Sequence, residues 1–319
     1  DGGVAQVVRR EHHELTFWPP RRRRAQARAA PRRPAPMTSQ PFLRLFVAPG
    51  ALAALALLAA MATVLQYSLR LYVPGSLEAG GFTLANFTAL LKPLYARVFL
   101  ETVWISFLTA ALSLLVAYPV AYALVHTQSR LTKAAILITA ITPLFLGEVV
   151  RTYSWMAVLG NNGFLNSLLL ALGLIDRPLQ IMFTQAAVVT ALVHVTLPVM
   201  VIMLAAALAH IDPNYAKAAQ SLGAGPIRTF FTVTFPLSMP GVVAGVTTAF
   251  AWTFSAFATP QLIGGGQVNM IANLVYQLGL ASFNFPFAAS LSVAGLALTL
   301  AALGLVRLAT RPLDKLGPP

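Results

Sequence analysis

Apolar stretches long enough to cross a lipid bilayer alternate with polar segments along most of this chain. A helix of about 20 apolar residues crosses a hydrocarbon layer of ~30 Å, because each residue adds ~1.5 Å. The pattern predicts six transmembrane helices, at 45–67, 100–125, 134–159, 185–209, 241–263 and 287–308. We therefore expect an all-α, polytopic membrane protein.

The segments that join these stretches differ in character. The segment 72–97 contains Pro74 and Gly75 and is predicted to hold a short amphipathic helix over 84–91. The segment 160–184 contains Asn161-Asn162-Gly163, which is a turn signal. The segment 264–285 is uncharged.

Composition agrees with a chain that has lipid as its solvent. The sequence is 57% hydrophobic and only 10% charged, whereas soluble domains carry about 25% charged residues. A soluble globule could not hide that much apolar surface. There is no cysteine, which excludes disulfides, thiolate nucleophiles and cysteine-ligated metals.

Basic residues are concentrated at the start of the chain. Nine of the 22 lie within residues 1–36, a region rich in Arg, Pro and Ala without an apolar run. We expect residues 1–40 to be a disordered basic tail. It is either upstream of a true start at Met37 or a polybasic arm for anionic lipid. Residues 41–319 are expected to form the transmembrane domain.

The remaining basic residues predict an orientation, because Lys and Arg are in excess on the cytoplasmic side. With the N-terminus inside, the inner segments hold Arg44, Arg130, Lys133, Lys217, Arg228, Arg307, Arg311 and Lys315. The outer segments hold Arg70, Lys92, Arg97 and Arg177. This bias predicts that both termini and the loop after the fourth span are cytoplasmic.

That loop, at 212–241, has clear helix start and stop signals. Asp212 is a good helix N-cap, and Pro213 suits the first helical position. The first short helix is predicted to run to about Leu222, with Gly223 ending it in a left-handed conformation.

A second helix is predicted to follow in the same loop. Pro226 lies near its first turn, and Pro236 and Pro240 break the chain before the fifth span. The loop is too polar and too broken to cross the membrane. It is predicted to form a helix-turn-helix elbow at the membrane surface, at about 210–240.

This loop resembles the signature loop of the membrane subunits of ABC importers. The family pattern is Glu-Ala-Ala, three residues, Gly, nine residues, then Ile-x-Leu-Pro. The matching residues are Lys217-Ala218-Ala219, Gly223 and Val233-Thr234-Phe235-Pro236. Lys217 replaces the acidic residue of the family, so a salt bridge at this position is not carried over.

The resemblance implies a type I ABC importer permease fold with six transmembrane helices and a mechanical role for the loop. Its first helix would sit in a cleft of a nucleotide-binding subunit and move when ATP closes two such subunits. The residues implied in ATPase coupling are Asp212, Tyr215, Lys217, Ala218, Ala219, Leu222, Gly223, Ala224 and Pro236. The alternative is a surface helix without a partner.

ATP hydrolysis is expected on another chain. The sequence has no G-x-x-x-x-G-K-[ST] phosphate loop, and Gly264-Gly265-Gly266 is followed by Gln267 rather than by the required lysine. These glycines are predicted to form a tight outer turn. We expect no catalytic residue, no metal site and no cofactor bound by this chain.

Other segments resemble the spermidine/putrescine branch of the same family. They are Arg151-Thr152-Tyr153-Ser154-Trp155, Gly163-Phe164-Leu165-Asn166, the stretch 257–265 and Asn284-Phe285-Pro286. The resemblance implies a polyamine-like or related small polar solute and a location in the cytoplasmic (inner) membrane. It also implies partners: ABC ATPase subunits, a second permease that is identical or homologous, and an extracytoplasmic solute-binding protein. Membrane lipid surrounds the chain, and no nucleic acid is expected.

Polar groups at membrane depth are candidates for the translocation path, because burying them in lipid is costly. The candidates are Glu148, Arg151, Trp155, Phe257 and Thr259. Glu148 and Arg151 share one helical face, so they form either a neutralised structural pair or a site where Glu148 attracts cations. Phe257 and Thr259 are explained by packing or by a place on the path. His194 is expected to be a hydrogen-bonded interhelical residue rather than a ligand.

Two other classes of protein compete with an importer permease. A stand-alone secondary transporter would show inverted repeats and a coupling-ion site at the midplane, and neither is evident in the sequence. A membrane-embedded enzyme would need a clustered catalytic set, and the few polar intramembrane residues do not converge by sequence.

Overall fold

The computed structural model describes residues 40–76 and 80–314. Regular structure there is helical, apart from an isolated antiparallel bridge between Arg70 and Phe82. The helices are α1 (Gln40–Ser68), α2 (Ala85–Leu90), α3 (Pro93–His126), α4 (Arg130–Phe145), α5 (Glu148–Leu159), α6 (Phe164–Ala171), α7 (Gln185–Ala209), α8 (Pro213–Ser221), α9 (Pro226–Thr229), α10 (Phe235–Leu237), α11 (Met239–Phe254), α12 (Ala258–Ile263), α13 (Ile271–Tyr276) and α14 (Phe285–Asp314). Residues 1–39 of the predicted tail at 1–40 lie outside the described residues, as does Lys315, whereas Gln40 begins α1.

Four of the described helices are long and apolar enough to cross a membrane on their own. They are α1, α3, α7 and α14, and α7 has the bounds that the sequence predicts. Two bent helix pairs are also long and apolar enough when each pair is taken together. They are Arg130–Phe145 with Glu148–Ala171, and Pro226–Leu237 with Met239–Phe254. By length and composition, the described residues therefore contain four helices that could cross a membrane, or up to six if each bent pair counts as one span.

The prediction of a continuous third span at 134–159 is wrong. The chain leaves helical geometry at Leu146 and Gly147, and the two parts are bent by 110°. Pro143 contributes to the break, because a proline removes a backbone donor and crowds the preceding turn. Leu146 and Gly147 then have extended backbone conformations, with ψ of 128° and 148°.

The predicted fifth span at 241–263 is also divided. Helix α11 ends at Phe254, and α12 begins at Ala258 after a short non-helical joint. Beyond it, α13 continues into a π-helical segment, so that Ile271–Ala281 is a short apolar helix. Sequence reading treated this part of the chain as an uncharged joint.

Of two predictions about the first outer segment, one agrees with the structure and one is shifted. The short helix predicted at 84–91 is α2, with both ends shorter by one residue. Helix α3 begins at Pro93, seven residues before the predicted span, because a proline suits the first helical position. An ion pair of 2.9 Å between Arg97 and Glu101 supports its first turns.

The core of residues 58–314 is formed by α3, α7 and α11, which pack on one another. Small residues allow close approach: a Cβ at Gly241 would collide with the Ala207 side chain, and one at Gly245 with Met200. A hydrogen bond of 2.7 Å between the buried hydroxyls of Ser113 and Thr196 links α3 to α7.

The chain divides into two compact units between Leu57 and Leu58. In the first unit, residues 40–57 are helical and form the beginning of α1. Its apolar side chains are exposed, including Leu52 at 70% and Leu55 at 63%. A surface of this kind requires lipid or another protein chain around it.

Candidate functional site

The elbow begins with the cap that the sequence predicts. The Asp212 carboxylate accepts a hydrogen bond of 2.8 Å from the Asn214 backbone N–H, and Pro213 occupies the first position of α8. The cap satisfies one of the amides that have no partner at a helix start, and a negative charge is favourable there. A helix of nine residues thus has a well-defined beginning on a loop.

The end of α8 is also as predicted. Gly223 has φ +86°, in the left-handed region, and its N–H donates to the Gln220 carbonyl at 2.9 Å. The Ala224 N–H donates to the Ala219 carbonyl at 3.1 Å. These two bonds form a Schellman motif, which satisfies carbonyls at the helix end and fixes the direction of the outgoing chain.

None of the side chains of α8 is buried. Lys217 and Ala218 are exposed, Ala219 and Ala224 are half-buried, and Tyr215 is half-exposed. Apolar side chains are exposed beside them: Leu222 at 89%, Ile227 at 74% and Phe231 at 63%. Sequence reasoning missed Ile227 and Phe231, although apolar residues on a surface elbow are the signal for a covered face.

After α8 the chain runs through α9, a π-helical segment at Phe230–Thr234 and α10, which contains Pro236. Helix α8 packs against α9 and this π-helical segment. The chain bends by 67° at Ser238, between α10 and α11. The break that the sequence predicts before the fifth span is therefore present.

The candidate path residues Glu148 and Arg151 do not form the ion pair that is one of the two alternatives expected for them. Arg151 is buried, and its Nη1 donates at 2.8 Å to the Pro143 carbonyl oxygen, while its Nε has no partner among the described residues. Glu148 is exposed at the start of α5. The ion pair found in the described residues is Arg97 with Glu101. The guanidinium thus bonds to a carbonyl in the last turn of α4, where helix carbonyls lack intrahelical partners, rather than to the Glu148 carboxylate.

Trp155 lies one turn after Arg151 on α5 and reaches α7. Its indole Nε1 donates at 3.3 Å to His194 Nδ1, and the two rings meet edge to face with centroids 5.6 Å apart. His194 is thus an interhelical hydrogen-bonding residue, as predicted.

Thr259 and Phe257 lie in different surroundings. Thr259 is buried on α12, with its hydroxyl 3.4 Å from that of Thr152 on α5. The Phe257 ring packs against Tyr276, with centroids 4.8 Å apart, and lines an open apolar cavity of about 750 Å³. Arg151, Trp155 and Thr259 therefore make side-chain contacts around α5, whereas Phe257 lines the apolar cavity and Glu148 is exposed.

Asn273 on α13 is a buried polar residue that sequence reasoning missed. Its amide nitrogen donates to the Phe257 carbonyl at 3.2 Å and to Gln261 Oε1 at 2.9 Å. It ties α13 to the irregular joint before α12. An amide within an apolar segment was the available signal, since such residues usually bond across helices.

The three glycines at 264–266 form the tight turn that the sequence predicts. Gly265 has φ +55° and Gly266 has φ +78°. A Cβ at Gly265 would collide with the ring of Phe183, whose N–H donates to the Ile263 carbonyl at 3.0 Å. The turn thus holds the end of the segment 160–184 against α12.

A family model matches residues 129–313 of this chain, from the N-cap of α4 to the end of α14, and its description is "Binding-protein-dependent transport system inner membrane component". The chain belongs to this family. It is a permease subunit of an ABC importer and a multi-pass protein of the inner membrane. The elbow and the path candidates all lie inside the matched region.

Relatives of this permease include two with polyamine names. It is 34% identical over 212 residues to the spermidine/putrescine transport system permease protein PotB of Escherichia coli (strain K12), covering 66% of this chain and 77% of that one. It is 37% identical over 164 residues to the molybdenum transport system permease protein ModB of Azotobacter vinelandii, covering 51% and 70%. The PotB of Haemophilus influenzae is 32% identical over 213 residues, covering 66% and 73%.

Solved structures show the same fold for the permease. A chain of a bacterial alginate ABC transporter, in complex with an alginate pentasaccharide-bound periplasmic protein, superposes with a TM-score of 0.73 at 17% identity, covering 86% of this chain and 95% of that one. An inward-facing MetNI methionine ABC transporter chain gives a TM-score of 0.51 at 18% identity, covering 70% and 98%.

Proposed function

We propose that this permease docks a separate ATPase on α8 and forms half of a translocation path for a small polar cation of the polyamine class. The observation that carries the docking proposal is that α8 is capped at both ends and that none of its residues is buried. A short helix with fixed ends transmits force as a unit, because its last turn cannot fray without losing the two bonds of the Gly223 turn.

The face proposed to dock the ATPase has small side chains at its centre and larger apolar side chains at its edges. Ala218 and Ala219 allow the partner backbone to approach closely, and Tyr215 and Leu222 supply apolar area that is exposed in the permease alone. Lys217 is exposed among them. Since its charge is opposite to that of the family residue, the docking energy is expected from apolar contact and shape.

The second half of the path is expected from another permease subunit, identical or homologous. Helix α1 supports this proposal, because its apolar residues from Leu52 to Leu57 are exposed in the single chain. An extracytoplasmic solute-binding protein is expected on the side opposite to α8, where its docking surface would include the segment 160–184.

The polyamine class of solute is proposed from the names of the relatives and from the charge at the α4–α5 break. Glu148 is exposed there, and Arg151 is turned away to Pro143. A carboxylate without a paired guanidinium attracts cations, so Glu148 is proposed as a cation-attracting group. Trp155 and Thr259 are proposed to hold this part of the path in shape.

The absence of cysteine allows a direct test of the docking surface and of its side of the membrane. In Ser221→Cys, on the exposed end of α8, an impermeant maleimide is expected to label inside-out vesicles but not right-side-out ones. Added ATPase subunits are expected to protect the cysteine. Gln267→Cys, in the exposed outer turn, is the matched control and should label from the opposite side without protection.

Two results would overturn the proposal. Labelling of Ser221→Cys in right-side-out vesicles would place α8 outside. The second result is labelling that added ATPase subunits do not reduce, together with no ATPase co-purifying with the chain. It would favour the alternative of a secondary transporter, which works without ATP.

A further inference from the structure

The elbow is tied to α3 by a buried pair of hydroxyls that lie 120 positions apart in the sequence. Tyr118 Oη and Ser238 Oγ are 2.7 Å apart, and the two residues are 7% and 0% exposed. Ser238 Oγ also donates to the Phe235 carbonyl at 2.9 Å. A serine hydroxyl has a single proton, so when Ser238 donates to Phe235, Tyr118 is the donor in the shared bond.

Aromatic packing surrounds this hydrogen bond. The Tyr118 ring meets Phe230 edge to face, with centroids 5.4 Å apart, and Phe235 at 5.7 Å. The Phe235 N–H donates to the Phe230 carbonyl, the bond of a π-helical turn. Because that turn is wider than an α-helical one, residues five apart point to the same side. The π-helical segment thus lets both phenylalanines hold the ring of Tyr118.

The position of this contact links the ATPase-docking surface to the core. Helix α8 packs on the π-helical segment, and Ser238 is the residue at which the elbow bends by 67°. On α3, Tyr118 lies little more than one turn after Ser113, whose hydroxyl bonds to Thr196 on α7. A continuous set of contacts therefore runs from α8 through Ser238 and Tyr118 to α3 and α7.

We propose that Tyr118 is a positioning residue that makes α3 move with the elbow when the ATPase moves α8. The proposal rests on the docking of an ATPase to α8 proposed above. Sliding the elbow along α3 would break a hydrogen bond that is shielded from water and would separate three packed rings. The elbow and the cytoplasmic end of α3 therefore move as one body.

The test uses spin labels at Gln128→Cys, just after α3, and at Ser221→Cys, at the end of α8. The labelled permease is purified with its ATPase and other subunits made cysteine-free, and the distance between the labels is measured with and without ATP. In the wild-type background one distance is expected, unchanged by ATP. In Tyr118→Phe, we expect a second distance to appear with ATP. Loss of one hydrogen bond shifts the equilibrium toward the separated arrangement of elbow and α3 about fivefold.

Tyr122→Phe is the matched control. Tyr122 lies one turn along α3 and packs on the same Phe230 ring, at 6.2 Å between centroids, and its hydroxyl makes no hydrogen bond to the described residues. It should keep the single distance. Ser238→Ala removes the acceptor from the other side and should behave as Tyr118→Phe, which covers a failure of the first variant to fold.

Two outcomes would overturn the proposal: a label distance that changes with ATP in the wild-type background, or a single unchanged distance in both Tyr118→Phe and Ser238→Ala. ATPase recovery with the purified permease is measured in the same samples. Its absence from the wild-type complex would refute the docking proposal itself, whereas normal recovery with an altered distance in the variants identifies the Tyr118 contact.

Discussion

Arg151 Nη1 donates a hydrogen bond of 2.8 Å to the Pro143 carbonyl oxygen, across the break between α4 and α5. The last carbonyls of a helix have no intrahelical partner, and a cation near them is favourable. Arg151 therefore stabilises the bend of 110° as a cap supplied by the next helix.

Arg151→Met is predicted to lower the free energy of unfolding by about 2 kcal/mol, the usual cost of losing a hydrogen bond to a charged group. Equilibrium unfolding in mixed micelles measures it. Glu148→Gln, at an exposed position on the same helix, is the control and should leave stability unchanged. Full stability of Arg151→Met with loss of uptake would instead put the guanidinium on the solute path.

Glu148→Gln is predicted to reduce spermidine uptake by roughly tenfold at low ionic strength, because a single steering charge is removed from the mouth of a path. Uptake into vesicles with the assembled complex measures it, and the reduction should diminish as salt is added. Glu101→Gln is the matched control, since that carboxylate already pairs with Arg97 at 2.9 Å. Unchanged uptake by Glu148→Gln would remove Glu148 from the path.

Gly223→Ala is predicted to weaken ATPase binding about fivefold, because an alanine in the left-handed conformation costs about 1 kcal/mol and loosens the end of α8. Titration of purified permease with ATPase subunits measures the affinity. Gly225→Ala provides the comparison two residues later, where φ is −67° and any residue fits. Equal effects of the two substitutions would refute the role assigned to the turn.

Asn166→Ala is predicted to destabilise the permease by about 2–3 kcal/mol, because it leaves buried backbone groups without partners. The Asn166 amide bonds to the carbonyls of Gly160 and Leu179 and accepts from the Leu179 N–H at 2.9 Å. Unfolding in mixed micelles is the measurement, with exposed Asn162→Ala as the control. A loss below about 0.5 kcal/mol, typical of surface substitutions, would contradict the prediction.

The local structure of the elbow could be predicted from the sequence because its signals act over a few residues. Asp212 caps the amide two positions later, and Gly223 adopts a conformation that other residues avoid. These preferences depend on backbone geometry and on one neighbouring group, so no tertiary information is needed.

The candidate path residues were chosen from the sequence, but their hydrogen-bonding partners could not be predicted from it. One of the two alternatives paired Arg151 with Glu148 three positions away, yet Arg151 bonds to Pro143 eight positions away. The reason is the break at Leu146 and Gly147, which exposes carbonyls that compete for the guanidinium. Hydropathy does not register this break, because the residues on both sides of it are apolar.

The sequence alone determined that the chain is a membrane protein, roughly where its long apolar segments lie, and that a capped elbow interrupts them. These features follow from transfer free energy and from local backbone preferences. The tertiary structure alone decided which helices are broken and which distant groups meet, as Tyr118 meets Ser238 and Trp155 meets His194. Buried polar groups must find partners wherever the packed helices bring them, and sequence separation does not constrain that choice.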